Sequence, residues 1–547
     1  MKKLLILLIT ITFLSVIWIY KKDIVVALMP KIINLINPIS ENREISWPEG
    51  AIIESDKPNI IIILTDDMGF NDVSYYNGGA ADGSLQTPNI DRLAKEGVAF
   101  LNGYAASPVC SPSRAAIMTG RYSSRFGFEF TPYQKSAAFI TNLLRKDDGL
   151  NSIQLDNVEW DEYGLDVSGL PSDEITVAEI LQDNGYYTAH VGKWHLGGLN
   201  KGMRPIDQGF NDSLQLTNAL YLPKNHPDVV NAKIDSTIED MVWASAQYSV
   251  TFNGSEDFFE PDGYITDYYT NETIKIIENN KDRPFFIYLN HFAPHNPLQS
   301  LKSDYEKNSH MNNHVLQVYS GMIEAIDRSV AKILDTLEKL NLSENTLIIF
   351  TSDNGGAGYI SLDNINKPYR GWKLTHFEGG VHVPFFARWP RGIKANTVYK
   401  ERVHHTDIFS TILGAANIEI PNSLYLDGVN LLPYIKKEVD TQPHKTLFWR
   451  SGNHQSVLHE DWKYIVSKKE NFRWLFDTSV DQEEKNNVID SYPEKAKLLE
   501  ELLTKFNSEQ KDPLFPSAYE VSIMIDKYDG QESVSYTHLR AHETLSY

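Results

Sequence analysis

Pro58-Asn59-Ile60-Ile61-Ile62-Ile63-Leu64-Thr65-Asp66-Asp67 is the stretch from which the fold can be read. A continuous run of β-branched residues predicts a strand buried on both faces, as in a parallel sheet covered by helices. It stops at two adjacent carboxylates, and in open α/β sheets ligands gather at the carboxyl ends of strands. A single aspartate there would read as a helix cap; two side by side read as a site. A second run, Asn345-Thr346-Leu347-Ile348-Ile349-Phe350-Thr351, ends in Ser352-Asp353-Asn354-Gly355-Gly356. Two such strands would bring Asp66, Asp67, Asp353 and Asn354 to one edge of one sheet. Oxygen ligands alone suit Ca²⁺ or Mg²⁺ and suit zinc or copper poorly.

Between these strands helical and extended patterns alternate, as a doubly wound sheet requires. Residues 175–185 have helical spacing with a glycine stop. Tyr186 to Val191 is a predicted strand that opens into Gly192-Lys193-Trp194-His195-Leu196-Gly197. Taken alone, Lys193 and His195 read equally well as a solvated surface pair. Phe285 to Asn290 is the next strand, running into His291-Phe292-Ala293-Pro294-His295-Asn296-Pro297. An amphipathic helix is predicted over 315–340, with Ile323, Ile326, Val330, Ile333 and Leu337 on its apolar face. Arg370-Gly371-Trp372-Lys373 and Glu378-Gly379-Gly380 follow the second aspartate strand. His404-His405-Thr406-Asp407 opens a helix, with Asp407 as its cap and His405 as a possible pocket wall.

A composition shift near residue 440 predicts a smaller C-terminal unit: strands at 446–450, 462–466 and 474–477, then a helix over 493–506. The expected fold is α/β, a large mostly parallel sheet between helices, with a small antiparallel sheet plus helix at the C-terminus. The expected divisions are 1–23, a signal anchor or signal peptide; 24–56, a connector; 57–440, the catalytic unit; 441–530, the C-terminal subdomain; and 531–547, a non-native tail resembling translated adapter sequence. His538 and His542 in that tail have helical metal-ligand spacing but carry no weight as ligands.

Composition narrows the partners. The chain has 547 residues and a formal net charge of −21, which argues against nucleic acid. An anionic substrate would have to be drawn by a local cation and clustered Lys, Arg and His. Lys2-Lys3 precede an apolar run from Leu4 to Tyr20 with no small-x-small cleavage site after it. This predicts export, periplasmic or membrane-anchored, or secreted if the segment is cleaved.

The only cysteine is Cys110, so no intrachain disulfide can form. It stands in Cys110-Ser111-Pro112-Ser113-Arg114-Ala115-Ala116-Ile117-Met118-Thr119-Gly120-Arg121. With Pro112 as the first helical position, Cys110 would sit just before a helix N-terminus, where the backbone favours an anion, and Arg114 adds a fixed charge. Cys-x-Pro-x-Arg followed by Thr-Gly-Arg resembles the signature of the type I sulfatases, bacterial arylsulfatase and polysaccharide-sulfatase type, in the alkaline-phosphatase-like superfamily. The other blocks occur in family order over about 57–510.

The resemblance implies that Cys110 is converted to formylglycine by a formylglycine-generating or sulfatase-maturing enzyme. It maps the metal set onto Asp66, Asp67, Asp353 and Asn354. Arg114 and Lys193 would hold the hydrated aldehyde and the sulfate, and Lys373 the sulfate and leaving oxygen. His295, in its Pro-His-x-Pro setting, would protonate the leaving alcohol, and His195 would take the proton from the second hydroxyl. His291 reads as structural. One hydroxyl of the diol would attack sulfur and the second would expel sulfate. The implied activity is sulfuric ester hydrolysis; a phosphonate monoester or phosphodiester hydrolase of the same superfamily is the alternative, and a non-catalytic binding protein is a third reading. The expected substrate is a sulfated saccharide, entering as short fragments. Stretches 135–172 and 211–265 match neither family blocks nor periodicity and read as pocket loops, with Trp160, Tyr163, Tyr221 and Trp243 available to stack on sugars.

Overall fold

The computed structural model describes residues 28–29, 31–32, 34–35, 37–132, 169–198, 200–217, 220–234, 237–468, 471–515 and 517. The apolar run 4–20, most of 135–172 with Trp160 and Tyr163, and the tail with His538 and His542 lie outside the described residues. In chain order the strands are β1 (Ile39–Ser40), β2 (Asn59–Thr65), β3 (Val98–Tyr104), β4 (Tyr187–Gly192), β5 (Asp212–Leu216), β6 (Val229–Ala232), β7 (Val250–Phe252), β8 (Phe258–Phe259), β9 (Phe285–Asn290), β10 (Leu298–Leu301), β11 (Thr346–Ser352), β12 (Phe385–Arg388) and β13 (Thr397–His404). The C-terminal unit adds β14 (Thr446–Ser451), β15 (His454–His459), β16 (Trp462–Ser467) and β17 (Phe472–Asp477).

One sheet takes the order β1-β8-β7-β5-β4-β9-β2-β11-β12-β3-β13. Its middle, β5-β4-β9-β2-β11, is parallel throughout. β12 is antiparallel to both neighbours, so β3 and β13 point the same way as β11. Every strand that leads into a site block therefore ends on the same edge. β2 and β11 run in register from Asn59 opposite Thr346 to Thr65 opposite Ser352. That register sets Asp66-Asp67 beside Asp353-Asn354.

β2 is buried along its whole length. Ile61 and Ile63 pack on one side with Ile323, Ile326, Val330, Ile333 and Leu337 of the helix His314–Lys339. Ile60, Ile62 and Leu64 pack on the other with Ala115, Ile117 and Met118. Each fully buried isoleucine stabilises the fold by about 1.5–3 kcal/mol, and both faces being dry explains the unbroken apolar run.

Several local expectations need correction. The helix holding the cysteine spans Cys110–Thr119, so Cys110 lies inside the first turn rather than before it. Pro112 is tolerated there because the N–H it lacks would be unbonded in that turn anyway. The 211–265 stretch is built structure rather than loop: it supplies β5 to β8 and the helix Thr237–Ser245. Tyr221 and Trp243 are buried in the core and do not face a sugar. The C-terminal sheet has a fourth strand, β15, whose His454-Gln455-Ser456 start hides it from an apolar scan. The connector is stitched down, since β1 pairs with β8 and Trp47 donates from Nε1 to Glu272 Oε2 at 2.7 Å.

Candidate active site

The site forms where β2, β3, β4, β9 and β11 end. Cys110 is buried, with Sγ 3.4 Å from Asp66 Oδ1 and 3.8 Å from Asp67 Oδ1. Arg114, one turn on and wholly buried, donates from Nε to Asp353 Oδ2 at 2.9 Å, and its Nη2 lies 2.7 Å from that oxygen and 3.4 Å from Asp66 Oδ2. A third contact, Nη1 to the Lys193 carbonyl at 2.8 Å, fixes the guanidinium against the β4 loop. The ammonium of Lys193 reaches Asp66 Oδ2 at 2.5 Å, and that of Lys373 reaches Asp67 Oδ2 at 2.7 Å. Asn354 donates from Nδ2 to Asp67 Oδ1 at 2.8 Å. Asp67 itself has φ 63°, a left-handed conformation unusual for a non-glycine and common at functional sites.

The histidines differ in setting. His295 donates from Nδ1 to the Asn296 carbonyl at 2.6 Å and presents Nε2 to Asp67 Oδ2 at 3.6 Å. Burial, then the charge of Lys373, pull its pKa down to about 4. His195 also has φ 63°, and its Nδ1 is buried without a hydrogen-bond partner among the described residues. Burial and the nearby Lys193 and Arg114 charges hold it well below the ordinary histidine range. His291 is in the core, its Nε2 paired with Ser329 Oγ at 2.9 Å. His405 is buried, with Nδ1 3.0 Å from Ser113 Oγ and Nε2 3.2 Å from Thr351 Oγ1, pinning the cysteine helix to β11.

Glycine makes the Lys373 loop possible. A Cβ on Gly355 would lie 1.8 Å from the Gly379 carbonyl oxygen, so the Asp-Asn-Gly-Gly and Glu-Gly-Gly segments touch backbone to backbone. Leu374 N donates to the Pro108 carbonyl at 2.8 Å, which ties the lysine loop to the approach of Cys110. Sequence reasoning missed Tyr359, whose hydroxyl is 3.4 Å from both Asp67 Oδ2 and Asn296 Oδ1. It also missed Phe292, whose ring lies under Lys193 and stacks on His295 at 4.8 Å. No spacing rule marks either residue; only the fold brings them in.

The donor set fits a hard divalent cation. Its oxygen donors begin with Asp66 and Asp67, whose carboxylates lie within 4.8 Å of each other, with the Cys110 sulfur and a ring nitrogen of His295 inside the same distance as neighbours rather than hard ligands. Asn354 Oδ1 is buried with no hydrogen-bond partner among the described residues, a lone pair without an occupant of its own. Asp353 adjoins the group through Arg114 and by accepting from Asp67 N at 3.2 Å. Burial raises Asp66, but Lys193, His295, Arg114 and Lys373 outweigh it and hold that carboxyl well below its ordinary range. Three carboxylates thus face three cations, and a divalent ion would leave the cluster net positive toward an anion.

The Sulfatase family model matches residues 58–418, and that described as N-sulphoglucosamine sulphohydrolase, C-terminal, matches 371–512. The chain belongs to the sulfatase family and is an enzyme that hydrolyses sulfate esters. Among its relatives, the Escherichia coli (strain K12) protein described as uncharacterized sulfatase YdeN is 31% identical over 421 residues, 72% of this chain and 68% of that one. The N-acetylgalactosamine-6-sulfatase of Canis lupus familiaris is 32% identical over 389 residues, 70% of this chain and 67% of that one. The crystal structure of Ps i-CgsB in complex with k-i-k-neocarrahexaose superposes with a TM-score of 0.68 at 29% identity, covering 84% of this chain and 94% of that one. The fold is that of these sulfatases, and the family generally uses a metal and formylglycine.

Proposed function

We propose that the chain removes sulfate from a sulfated carbohydrate at the cluster around Cys110. The observation that carries this reading is the convergence of Arg114, Lys193, Lys373 and His295 on the carboxylates beside that cysteine. The carbohydrate is supported by the relative named for an N-acetylgalactosamine 6-sulfate and by the structural neighbour that holds a hexaose.

Asp66, Asp67, Asp353 and Asn354 would hold Ca²⁺ or Mg²⁺, which when bound polarises a sulfate oxygen as a Lewis acid. Formylglycine made from Cys110 by a maturing enzyme supplies a hydrated aldehyde as nucleophile. The remaining work falls to the chain's own side chains. Arg114 is held by Asp353 and the Lys193 carbonyl, so its charge is fixed before substrate arrives. Lys193 and Lys373 reach in from separate loops and neutralise the sulfate oxygens, with Lys373 on the leaving-oxygen side. His295, with Nδ1 already committed to Asn296, has only Nε2 for the leaving alcohol. An arriving sulfate raises its proton affinity from the depressed value and lets it act as general acid, a contribution of roughly 10²–10⁴-fold. His195, kept neutral, takes the proton from the nucleophilic side to release sulfate.

Export through the 4–20 segment, to the periplasm or outside the cell, belongs to the same proposal. The test compares desulfation of sulfated mono- and oligosaccharides with cleavage of an aryl sulfate and an aryl phosphodiester. Preference for the saccharides supports the reading. Cleavage of the aryl sulfate alone would remove the carbohydrate, and preference for the phosphodiester would favour phosphoryl transfer.

A further inference from the structure

Glu239 belongs to the helix Thr237–Ser245, within the 211–265 stretch that has no counterpart among the site blocks. Its carboxylate is wholly buried. Oε1 accepts from Asn296 Nδ2 at 2.7 Å, and Oε2 accepts from Trp243 Nε1 at 2.8 Å. Asn296 is the residue whose backbone carbonyl accepts the hydrogen bond from His295 Nδ1 at 2.6 Å. The other end of the same amide, Oδ1, meets the Tyr359 hydroxyl, which also touches Asp67. The stretch grips His295 a second time, because Tyr221 donates from its hydroxyl to the His295 carbonyl at 2.8 Å. The Tyr221 ring stacks at 5.3 Å on Phe292, which in turn stacks on the imidazole.

We propose that Glu239 is a positioning residue for His295. By anchoring the Asn296 side chain it fixes the carbonyl that holds Nδ1–H, which selects the tautomer with Nε2 open toward Asp67 and the leaving oxygen. The reason is one of donor and acceptor supply. Asn296 Nδ2 and Trp243 Nε1 are both donors, and only a carboxylate accepts from both. A glutamine of the same shape can accept from one and must present an N–H to the other. Trp243 can only donate, so the glutamine N–H falls to Asn296, and that amide must either release its anchor or turn over and withdraw Oδ1 from the Tyr359 hydroxyl; either change shifts the Asn296 carbonyl and frees the imidazole to turn or to change tautomer. This inference rests on the reading of His295 as the leaving-group acid.

The test uses the matured full-length enzyme and its Glu239→Gln and His295→Gln variants on two aryl sulfates, one leaving as 4-nitrophenolate and one as the far more basic 4-methoxyphenolate. A poor leaving group needs the proton and a good one needs it little. Glu239→Gln should lower kcat on the 4-methoxyphenyl ester by about 10- to 100-fold while changing kcat on the 4-nitrophenyl ester and both KM values little. Because the ratio of the two rates comes from one sample, a misfolded fraction cancels from it. Histidine-labelled protein, with His295 assigned by difference against His295→Gln, reports the tautomer by ¹⁵N NMR without any substrate. The Nδ1–H form in the wild type should give way to Nε2–H or a mixture in Glu239→Gln. An unchanged tautomer in Glu239→Gln overturns the proposal, as does an unchanged rate ratio where His295→Gln shifts it. If His295→Gln also leaves the ratio unchanged, the acid role of His295 fails and the positioning role falls with it.

Discussion

Asn354 Nδ2 donates to Asp67 Oδ1 across 2.8 Å, although 287 residues separate the two in sequence. The contact exists because β2 and β11 pair in register, and it leaves Asn354 Oδ1 buried beside the carboxylates without a hydrogen-bond partner among the described residues. Burying an amide oxygen unpaired costs roughly 1–3 kcal/mol, which a cation bound at this position would offset.

Chelation should therefore abolish turnover, with Ca²⁺ or Mg²⁺ restoring it. Asp353→Ala and Asn354→Ala should each bind the restoring ion at least about 10–100-fold more weakly, read by calorimetry as well as by activity. Full activity after demonstrated metal loss would contradict the site.

Lys463 of β16 is wholly buried, 2.7 Å from Glu378 Oε1 and 3.1 Å from Glu484 Oε1, and so clamps the C-terminal sheet to the loop that follows Lys373. Lys463→Met would leave two carboxylates buried against each other. It should lower unfolding free energy by about 3–5 kcal/mol in urea titrations. A midpoint equal to wild type would show that the clamp contributes nothing.

His444 donates from Nε2 to Asp407 Oδ1 at 2.7 Å, while Asp407 Oδ2 accepts from His404 N at 2.7 Å. Burial lowers the His444 pKa, but the Asp407 charge outweighs it and leaves the group above its ordinary 6.5. A raised folded-state pKa means that the stabilisation is fully present below 6.5 and is lost as pH rises through the folded value. His444→Gln should cost about 1.5–3 kcal/mol in acid and much less near pH 9, as the gap between the two melting curves narrows. A gap that widens with pH would reverse the assigned sign.

What the sequence disclosed follows from physics that is local or periodic. The double-sided burial of Ile60 to Leu64 leaves an unbroken apolar run, and the aspartates after it stand out because carboxylates buried at a strand end are costly without counter-charges. The 26-residue helix His314–Lys339 writes its face at helical spacing. Cys110 and its neighbours carry a short signature. The illegible parts depend on contacts between distant segments. Tyr359 and Phe292 are ordinary aromatics until β9 and β11 bring them to Asp67 and Lys193. Glu239 looks like a solvated helix charge and is instead buried under Asn296. Tyr221 and Trp243 look like exposed sugar platforms because 211–265 is polar on average, yet its polar groups bond inward to Gln299, His295 and Glu239.

The chemical state of Cys110 can be read directly from the peptide 96–114 released by trypsin. In protein made alongside a maturing enzyme, mass spectrometry should find that peptide with the cysteine CH₂–SH replaced by an aldehyde CHO. Specific activity across preparations should rise in proportion to the aldehyde fraction, and Cys110→Ala, whose methyl group carries no heteroatom to oxidise, should turn over at a small remnant of the wild-type rate. Wild-type activity from protein whose Cys110 is entirely unmodified thiol, or from Cys110→Ala through many turnovers, would contradict the assignment of this residue as the reacting group.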